Sequence, residues 1–305
     1  MDGERIATAE EKERIAQFLQ ELKARGRSPR TRRAYELDWS QFATWYAAAN
    51  QEPFTLKRLA AMDVQDYITW GRQEGLKAST LNRRLAWLKQ YAAWGQAQDL
   101  LTPDMRRRIR AIPIQSKQQL APRSLAPAEA RKLLKEVKVR GNLRDDAIIS
   151  TLLYTGLRVG ELVALTLDDV TLSERKGVIQ VRAEVAKGDK ERTVPVPKNA
   201  REALQAFLEK RTTDGEQVLF IGRQGPLSAE GVAAVVRKYA AWAQLEGVTP
   251  HVLRHTFSYN YLANNENDLV ALADILGHSD LNTTRVYTRR RLSDLQEGAE
   301  RVRFF

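Results

Sequence analysis

Apolar residues recur at helical spacing through the first hundred residues. This pattern predicts four helices, over about residues 9–25, 29–49, 55–74 and 79–97. The second helix carries the clearest signals, because Ser28 is placed to cap it and Pro29 to occupy its first turn. Its aromatic residues follow the same spacing and predict one buried stripe, formed by Tyr35, Trp39, Phe42 and Tyr46.

The fourth helix, within KASTLNRRLAWLKQYAAWG, has a comparable pattern, with Ser79 as its predicted cap. Its predicted inner face consists of Leu81, Leu85, Leu88 and Tyr91. Its predicted outer face carries Arg83, Arg84 and Lys89. Five of the six tryptophans lie in this N-terminal region, and we expect them to fill the core of a small helical domain.

The pattern then changes twice. The segment MRRRIRAIPIQSKQQLAPRSL, residues 105–125, is basic, contains two prolines and lacks a sustained apolar period, so it is predicted to be a linker. Beyond it, helices are predicted near 127–138, 142–154, 158–165, 199–210, 228–245, 250–264, 267–276 and 282–293. Between these helices, GVIQVRAEVAKGDKERTVPVP alternates β-branched and polar residues around a Gly-Asp turn, which predicts a β-hairpin.

The predicted fold class is therefore mainly α with a small β-sheet. The 305 residues suffice for two domains, with boundaries predicted at 1–104 and 126–305 on either side of the 105–125 linker. The chain contains no cysteine, which excludes disulfides, thiol nucleophiles and zinc-thiolate sites. No apolar run approaches the length of a membrane helix, and the N-terminus lacks the apolar segment of a secretory signal, so a cytoplasmic protein is expected.

The net charge of +11 indicates a polyanionic partner, although a merely solvated basic surface is the alternative. Residues 1–120 hold 21 Lys and Arg against 14 Asp and Glu. Three of these arginines, Arg30, Arg32 and Arg33, crowd the start of the second helix, where cations oppose the helix dipole. A phosphate backbone bound there would offset that unfavourable charge.

The scarce histidines concentrate around one motif. The chain has three, and two of them, His251 and His255, flank Arg254 in HVLRH. Thr249 is placed to cap a helix beginning at Pro250, so the three motif residues share one helical face. A forked guanidinium beside an imidazole suits phosphoryl transfer. Alone, the motif fits equally well with surface ion pairs and one buried histidine.

Two further motifs carry candidate phosphate and proton chemistry. In TGLRVGEL, Gly156 permits a tight turn, Arg158 starts the next helix and Glu161 lies one turn on, placed to orient an arginine or histidine. In AKGDKER, a lysine on the turn, Lys187 or Lys190, can donate a proton to a departing alkoxide. A solvated turn is the alternative for the lysines.

The last motif, LGHSDLNTTRVYTRR, supplies a candidate nucleophile. His278 follows a helix-ending Gly277, and Tyr287 stands among four arginines, Arg285, Arg289, Arg290 and Arg291. A tyrosine surrounded by cations is an unusual choice for a core position, because burying its ring would bring the charges inside. Its phenol needs a base or electropositive surroundings to attack phosphorus effectively.

Taken in this order, the four motifs resemble the tyrosine recombinase, or phage integrase, family over nearly the whole chain. The compact hairpin and short loops are most similar to the Xer and the integron or transposon branches. The resemblance implies a two-domain DNA clamp, in which a helical SAM-like core-binding domain faces a tyrosine recombinase catalytic domain. The basic residues of the second and fourth helices, Arg30, Arg32, Arg33, Arg83, Arg84 and Lys89, are then expected to contact DNA.

The resemblance also implies a role for each candidate residue. Arg158 and Arg254 would hold the scissile phosphate, Tyr287 would attack it to form a 3′-phosphotyrosyl bond, and Lys187 would protonate the leaving 5′ oxygen, with Lys190 as the other candidate. The expected supporting roles are proton transfer at the tyrosine for His251, a hydrogen bond to the phosphate for His278, and indirect support for Glu161 and His255.

No cofactor or metal is expected, because arginines, a lysine and histidines can offset the developing charge and the sequence lacks GxxxxGK[ST] and HExxH. The implied partners are double-stranded DNA with paired half-sites and three further copies in a homotetramer, with a related recombinase or accessory protein as a possible addition. A type IB topoisomerase and a non-catalytic DNA-binding protein are the alternatives. The first shares the chemistry but reseals the same strand, whereas the second keeps the fold without cutting.

Overall fold

The computed structural model describes residues 6–114, 122–184, 191–212, 215, 217–222, 225–266, 268–278, 284 and 287. The chain divides into two compact units, residues 1–119 and 120–305. The predicted helix at 282–293 and the C-terminal segment lie outside the described residues, apart from Thr284 and Tyr287. The linker residues 115–121 and the turn 185–190 also lie outside them.

Helices build the first unit. Over residues 6–114 the α-helices are α1 (Ala9–Ala24), α2 (Pro29–Asn50), α3 (Ala61–Gln73), α4 (Ala78–Ala97) and α5 (Pro103–Ala111), and a short 3-10 helix, Leu56–Arg58, precedes α3. As predicted, Ser28 caps α2 by accepting a hydrogen bond from the backbone N–H of Thr31 at 3.2 Å. The predicted cap of α4 is wrong, because α4 begins at Ala78 and its N-cap position is Lys77, so Ser79 already lies within the first turn.

Most aromatic residues of this unit form its core, as expected, whereas Tyr35, Trp45 and Trp70 are only partly buried against it. Phe42 packs edge-on against Phe54 and Tyr67, with ring centroids 5.2 and 5.0 Å apart. Three of the tryptophans, Trp39, Trp87 and Trp94, are buried. The predicted inner face of α4 is also buried, since Leu81, Leu85, Leu88 and Tyr91 all lie in this core.

Part of the predicted linker is helical. Residues 105–111 belong to α5, which begins behind the Thr102 cap and buries Ile109 in the core of the first unit. Ile112, just after the helix, is buried there as well. These apolar residues, together with the partly buried Met105, dock a short helix that also carries four arginines.

Helices also dominate the second unit, around two small sheets. In its described residues the helices are α6 (Pro127–Arg140), α7 (Leu143–Thr155), α8 (Val159–Val163), α9 (Lys198–Lys210), α10 (Ala229–Trp242), α11 (Pro250–Asn264) and α12 (Leu269–Leu276). The strands are β1 (Val170–Leu172), β2 (Gly177–Val181), β3 (Arg192–Pro195), β4 (Ile221–Gly222) and β5 (Gly225–Pro226). The mainly helical fold class with a small sheet is confirmed.

The three-stranded sheet contains the predicted hairpin. Strands β1, β2 and β3 are antiparallel neighbours in that order, and Val178 pairs with Pro195 while Val181 pairs with Arg192. Helix α7 lies in the centre of the unit, where it packs against α9 and α11 and buries Ile148, Ile149 and Leu152. This packing brings the C-terminal end of α7 beside α11, which carries the HVLRH motif. In the described part of the chain, no helix combines the length and apolarity that a membrane span requires.

Candidate active site

Three successive backbone carbonyls at the C-terminal end of α12 each face a different arginine. The pairs are Arg192 Nε with Ile275 O at 2.8 Å, Arg254 Nη2 with Leu276 O at 2.9 Å, and Arg158 Nη2 with Gly277 O at 3.5 Å. The last carbonyls of a helix lack partners within the helix and carry partial negative charge. The end of α12 therefore gathers three guanidinium groups that would otherwise repel one another.

Two glycines make this close approach possible. Gly156 ends α7 with φ +65°, and a Cβ atom added to it would lie 2.4 Å from the Phe257 ring. Gly277 ends α12 with φ +64°, and a Cβ atom there would lie 2.9 Å from the guanidinium of Arg192. Both positions need a left-handed backbone and have no room for a side chain.

Arg254 is buried at the centre of the cluster, with 5% of its surface exposed. Besides the Leu276 carbonyl, its guanidinium donates to the carbonyl of Gly156 at 2.5 Å. Burial first, and then the charge of Arg158, lower the pKa of Arg254 to about 10. The side chain therefore remains charged at neutral pH and is held in one orientation by the ends of two helices.

Glu161 balances this positive charge. It is 2% exposed, and its carboxylate accepts hydrogen bonds from Arg158 Nη1 at 2.8 Å and from Arg192 Nη2 at 2.7 Å. It also accepts from the backbone N–H of Arg158 at 2.8 Å, which caps α8. Burial raises the pKa of Glu161, but the hydrogen bonds from Arg192 and Arg158 outweigh it, so the pKa is lowered below 4.5.

His278 lies next to Arg254. Its Nε2 is 3.0 Å from Arg254 Nη2, and its Nδ1 is 2.9 Å from the hydroxyl of Thr284. Burial first, and then the charges of Arg254 and Arg158, lower the pKa of His278 to about 4. The imidazole is therefore neutral at physiological pH, and because a guanidinium can only donate, Nε2 accepts and Nδ1–H donates to Thr284.

Tyr287 joins the site through a different histidine. Its hydroxyl oxygen is 2.7 Å from Nδ1 of His255, and its ring packs edge-on against Tyr259 at 5.2 Å. Burial raises the pKa of the Tyr287 phenol above 10.0, while a hydrogen bond with Ser258 opposes that rise. Burial also lowers the pKa of His255 below 6.5, so its neutral imidazole is able to accept the phenolic proton.

The remaining catalytic candidates are placed less directly. His251 is exposed in the first turn of α11, which Thr249 caps as expected, and the role predicted for His251 stays a prediction. Lys187 and Lys190 lie outside the described residues, and so do the four arginines near Tyr287. The choice between the two lysines therefore also stays a prediction.

Arg192 is the member of the cluster that sequence reasoning missed. It is the first residue of β3 and pairs with Val181 across the hairpin. One feature of the sequence could have pointed to Arg192: it belongs to AKGDKER and directly follows the turn that carries the candidate lysines. Its partner Glu161 lies 31 positions away, so no local spacing pointed to the contact.

The basic residues of the first unit differ in their exposure. Arg30 and Arg33 are exposed and Arg32 is half-buried. Arg83 pairs with buried Asp38 while part of its side chain remains exposed. The half-buried Lys89 donates to the carbonyl of Ile112 at 2.5 Å.

The prediction that Arg84 faces outward is wrong. Arg84 is 7% exposed and donates to the hydroxyl of Tyr67 at 2.9 Å and to the side chain of Gln41. Its position on α4 turns it toward α2 and α3, where polar partners surround it, so it serves the interior of the unit.

Among the described residues, no three His, Asp or Glu side chains come together in a way that would hold a metal ion.

Comparison with known proteins gives consistent matches. Residues 123–293 match the phage integrase family, and residues 15–98 match the N-terminal SAM-like domain of phage integrases. The chain is 33% identical over 286 residues to tyrosine recombinase XerD of Listeria monocytogenes, covering 89% of this chain and 92% of that one. It is 32% identical over 297 residues to tyrosine recombinase XerC of Thermodesulfovibrio yellowstonii, covering 93% of both.

Solved structures share the fold. The crystal structure of the XerH site-specific recombinase bound to its difH substrate, in a pre-cleavage complex, superposes with a TM-score of 0.73 at 22% sequence identity. The match covers 94% of this chain and 83% of that one.

Proposed function

This chain belongs to the phage integrase family and is a tyrosine site-specific recombinase, and we propose that it cuts and rejoins DNA through a covalent bond between Tyr287 and a 3′ phosphate. The family predicted from the four motifs is thereby confirmed. The observation that supports the proposed chemistry is the convergence of Arg158 and Arg254 on the end of α12, in the same unit as a buried tyrosine hydrogen-bonded to a neutral histidine.

In the first step, the phenolic oxygen of Tyr287 attacks the scissile phosphorus as its proton passes to a histidine. The bond from phosphorus to the 5′ oxygen breaks, and that oxygen takes a proton from Lys187. The products are a 3′-phosphotyrosyl bond and a free 5′-hydroxyl. Because one phosphoester replaces another, the reverse step with a different 5′-hydroxyl needs no ATP and exchanges the strands.

The site supplies charge for this transition state. Arg158 and Arg254 hold the non-bridging oxygens, and the buried position of Arg254 strengthens its interaction with an anion. A neutral His278 donates a hydrogen bond to the phosphate. For this its ring must either turn away from Arg254 or move its proton from Nδ1 to Nε2. These groups take the electrostatic role that metal ions have in other nucleases. The reaction is therefore proposed to proceed without a metal ion.

The proposed partner is a pair of DNA recombination sites, each with two half-sites. Exchange between two duplexes cuts four strands, and since each chain has one Tyr287, four copies are needed. Relatives of this chain are named as Xer recombinases, and one solved relative is bound to its difH substrate. We place the reaction in the cytoplasm, in a homotetramer, with a related recombinase or accessory protein as an optional addition.

The proposed biological roles are resolution of chromosome dimers, insertion or excision of a mobile element, and inversion of a DNA segment. The C-terminal segment RLSDLQEGAERVRFF is proposed to dock on a neighbouring copy, with packing against its own domain as the alternative. Deleting residues 292–305 should then weaken cooperative binding to paired half-sites more than binding to one half-site. Equal losses on both would contradict docking on a neighbour.

The experiment that separates recombination from topoisomerase activity uses DNA captured by the protein itself. Randomised nicked duplexes are incubated with the protein, covalently trapped strands are sequenced, and the recovered site is placed twice in one plasmid. Recombination predicts deletion or inversion products between the two sites. Relaxation of supercoils without exchange between the two sites would identify a topoisomerase-like activity. Binding without trapped strands, both alone and with a related recombinase or accessory protein added, would identify a non-catalytic DNA-binding protein.

A further inference from the structure

Arg192 is tied to the active site from a strand that bears none of the expected phosphate ligands. We propose that it is a positioning residue, which holds Glu161 so that Arg158 keeps the orientation and charge needed to bind the scissile phosphate. This inference rests on the proposed function. It adds a residue to the reaction without assigning it a contact with DNA.

The carboxylate of Glu161 is shared evenly between the two arginines. Oε1 accepts from Arg158 Nη1 at 2.8 Å and from Arg192 Nη1 at 3.1 Å. Oε2 accepts from the Arg158 backbone N–H at 2.8 Å and from Arg192 Nη2 at 2.7 Å. Arg192 thus donates to both carboxylate oxygens. The Arg158 guanidinium donates to Glu161 through one nitrogen, and its other donors remain for other acceptors.

This sharing sets the charge at the site. Two guanidinium groups and one carboxylate leave one net positive charge on the Arg158, Arg192 and Glu161 group. Without Arg192, the ion pair of Arg158 with Glu161 would be neutral. The buried carboxylate would also hold Arg158 more tightly, because a charge with 2% exposure gains little from water. A phosphate would then have to compete with Glu161 for Arg158.

A second anchor fixes Arg192 itself. Its Nε donates to the carbonyl of Ile275 at 2.8 Å, and its guanidinium packs beneath Gly277, the residue before His278. All three guanidinium nitrogens therefore donate to protein oxygens, and 9% of the side chain is exposed. A planar fork with donors in three directions makes these bonds together, whereas a lysine ammonium lacks that geometry.

The test compares single-turnover cleavage of a suicide duplex by wild type, R192Q, R192K, E161Q and the R192Q/E161Q double variant. Each protein is given a normal scissile phosphate and a methylphosphonate, whose methyl group replaces a charged oxygen and makes the linkage neutral. On the phosphate, R192Q should lose about 10- to 100-fold in rate, as expected for a residue that orients a ligand-binding group. R192K should lose a similar amount because it keeps the charge without the fork.

Two results distinguish positioning from a general loss of structure. The methylphosphonate should shrink the R192Q defect to below about 3-fold, because a neutral linkage depends less on the arginine charge. The double variant should be faster than R192Q, because removing the unpaired carboxylate releases Arg158. Equal R192Q defects on both substrates, or a double variant no faster than R192Q, would overturn the inference.

Arg201 provides the matched control. It is also a buried arginine of the second unit, but it donates to the carbonyls of Glu174 and Val196, at 2.9 and 3.4 Å. R201Q should therefore lower thermal stability without changing the ratio of the phosphate rate to the methylphosphonate rate. Failure of the wild type to cleave either substrate would remove the proposed function and this inference together, whereas wild-type cleavage with an unaffected R192Q would remove the inference alone.

Discussion

Nδ1 of His255 lies 2.7 Å from the hydroxyl oxygen of Tyr287, which places this histidine as a general base for the proposed nucleophile. Family resemblance assigns proton transfer to His251, one helical turn earlier, which is exposed here. The two histidines share one element, α11, so variants at the two positions form a matched pair.

Replacing His255 with Asn should slow adduct formation by about 100-fold or more, the usual contribution of a general base. The pKa of His255 is lowered below 6.5, chiefly by burial, so the neutral base persists as the pH falls toward that pKa and is lost below it. Wild-type cleavage should therefore decline on the acid side, and H255N should lack this decline. If instead the cleavage rate of H251N does not decline at acid pH while that of H255N does, His251 is the general base.

His278 should remain neutral across the physiological range. Its pKa is lowered to about 4, so the folded protein binds a proton there more weakly than the unfolded chain, whose value is 6.5. The resulting stability is complete above pH 6.5 and is lost as the pH falls toward 4. With three histidines in the chain, NMR titration with H251N, H255N and H278N assigns each resonance. A His278 resonance that titrates near pH 6.5 would contradict the buried contact with Arg254.

Gly277→Ala should impair both stability and cleavage. The left-handed backbone costs about 1–2 kcal/mol for a non-glycine residue, and the new Cβ atom would also displace Arg192. Gly26 has a similar φ of +73°, but no atom lies within 4 Å of a Cβ atom added there. Gly26→Ala should therefore lose stability only through the unfavourable backbone conformation. Thermal unfolding and single-turnover cleavage should show a catalytic loss for Gly277→Ala and none for Gly26→Ala. Comparable catalytic rates in both variants would argue against close packing of Arg192.

Arg84 and Arg33 should separate folding from DNA binding in the first unit. Arg84→Ala leaves Asp38 and Tyr67 with fewer partners and should destabilise the unit by about 3 kcal/mol, as loss of one partner in a buried charged cluster does. Exposed Arg33→Ala should change stability by less than about 0.5 kcal/mol. It should also weaken DNA binding. The slope of the logarithm of the DNA-binding constant against the logarithm of the salt concentration should become less steep by about 1.

Tryptophan fluorescence follows unfolding of this unit, because five of the six tryptophans lie in it. Anisotropy of a labelled half-site duplex over a salt series gives the binding slope. If Arg84→Ala leaves the stability unchanged but weakens DNA binding, Arg84 belongs to the DNA-binding surface.

The sequence predicted most of the helices and the hairpin because their apolar periods are strong and their caps are local. Ser28 and Thr249 cap their helices as expected. Helix α5 escaped prediction because its packing depends on Ile109 and a nearby Ile112 within a basic segment. Arg84 was misplaced because a polar residue on a helix ordinarily signals the outer face, whereas here polar partners on other helices receive it.

The candidate site divides in the same way. Glycine turns, the HVLRH spacing and the tyrosine are visible as local motifs. The capping of successive α12 carbonyls by Arg192, Arg254 and Arg158 depends on three elements distant in sequence. Tertiary packing decides which side chains meet there, so the role of Arg192 emerges from the fold.

The most direct test of the central claim is covalent capture of DNA by wild type and by Tyr287→Phe. Nicked suicide duplexes are incubated with each protein in EDTA, denatured and examined for protein-DNA adducts. The proposed mechanism predicts an adduct through the 3′ phosphate with wild type, retained DNA binding by Tyr287→Phe and no adduct with that variant. An adduct that persists in Tyr287→Phe would show that another residue is the nucleophile.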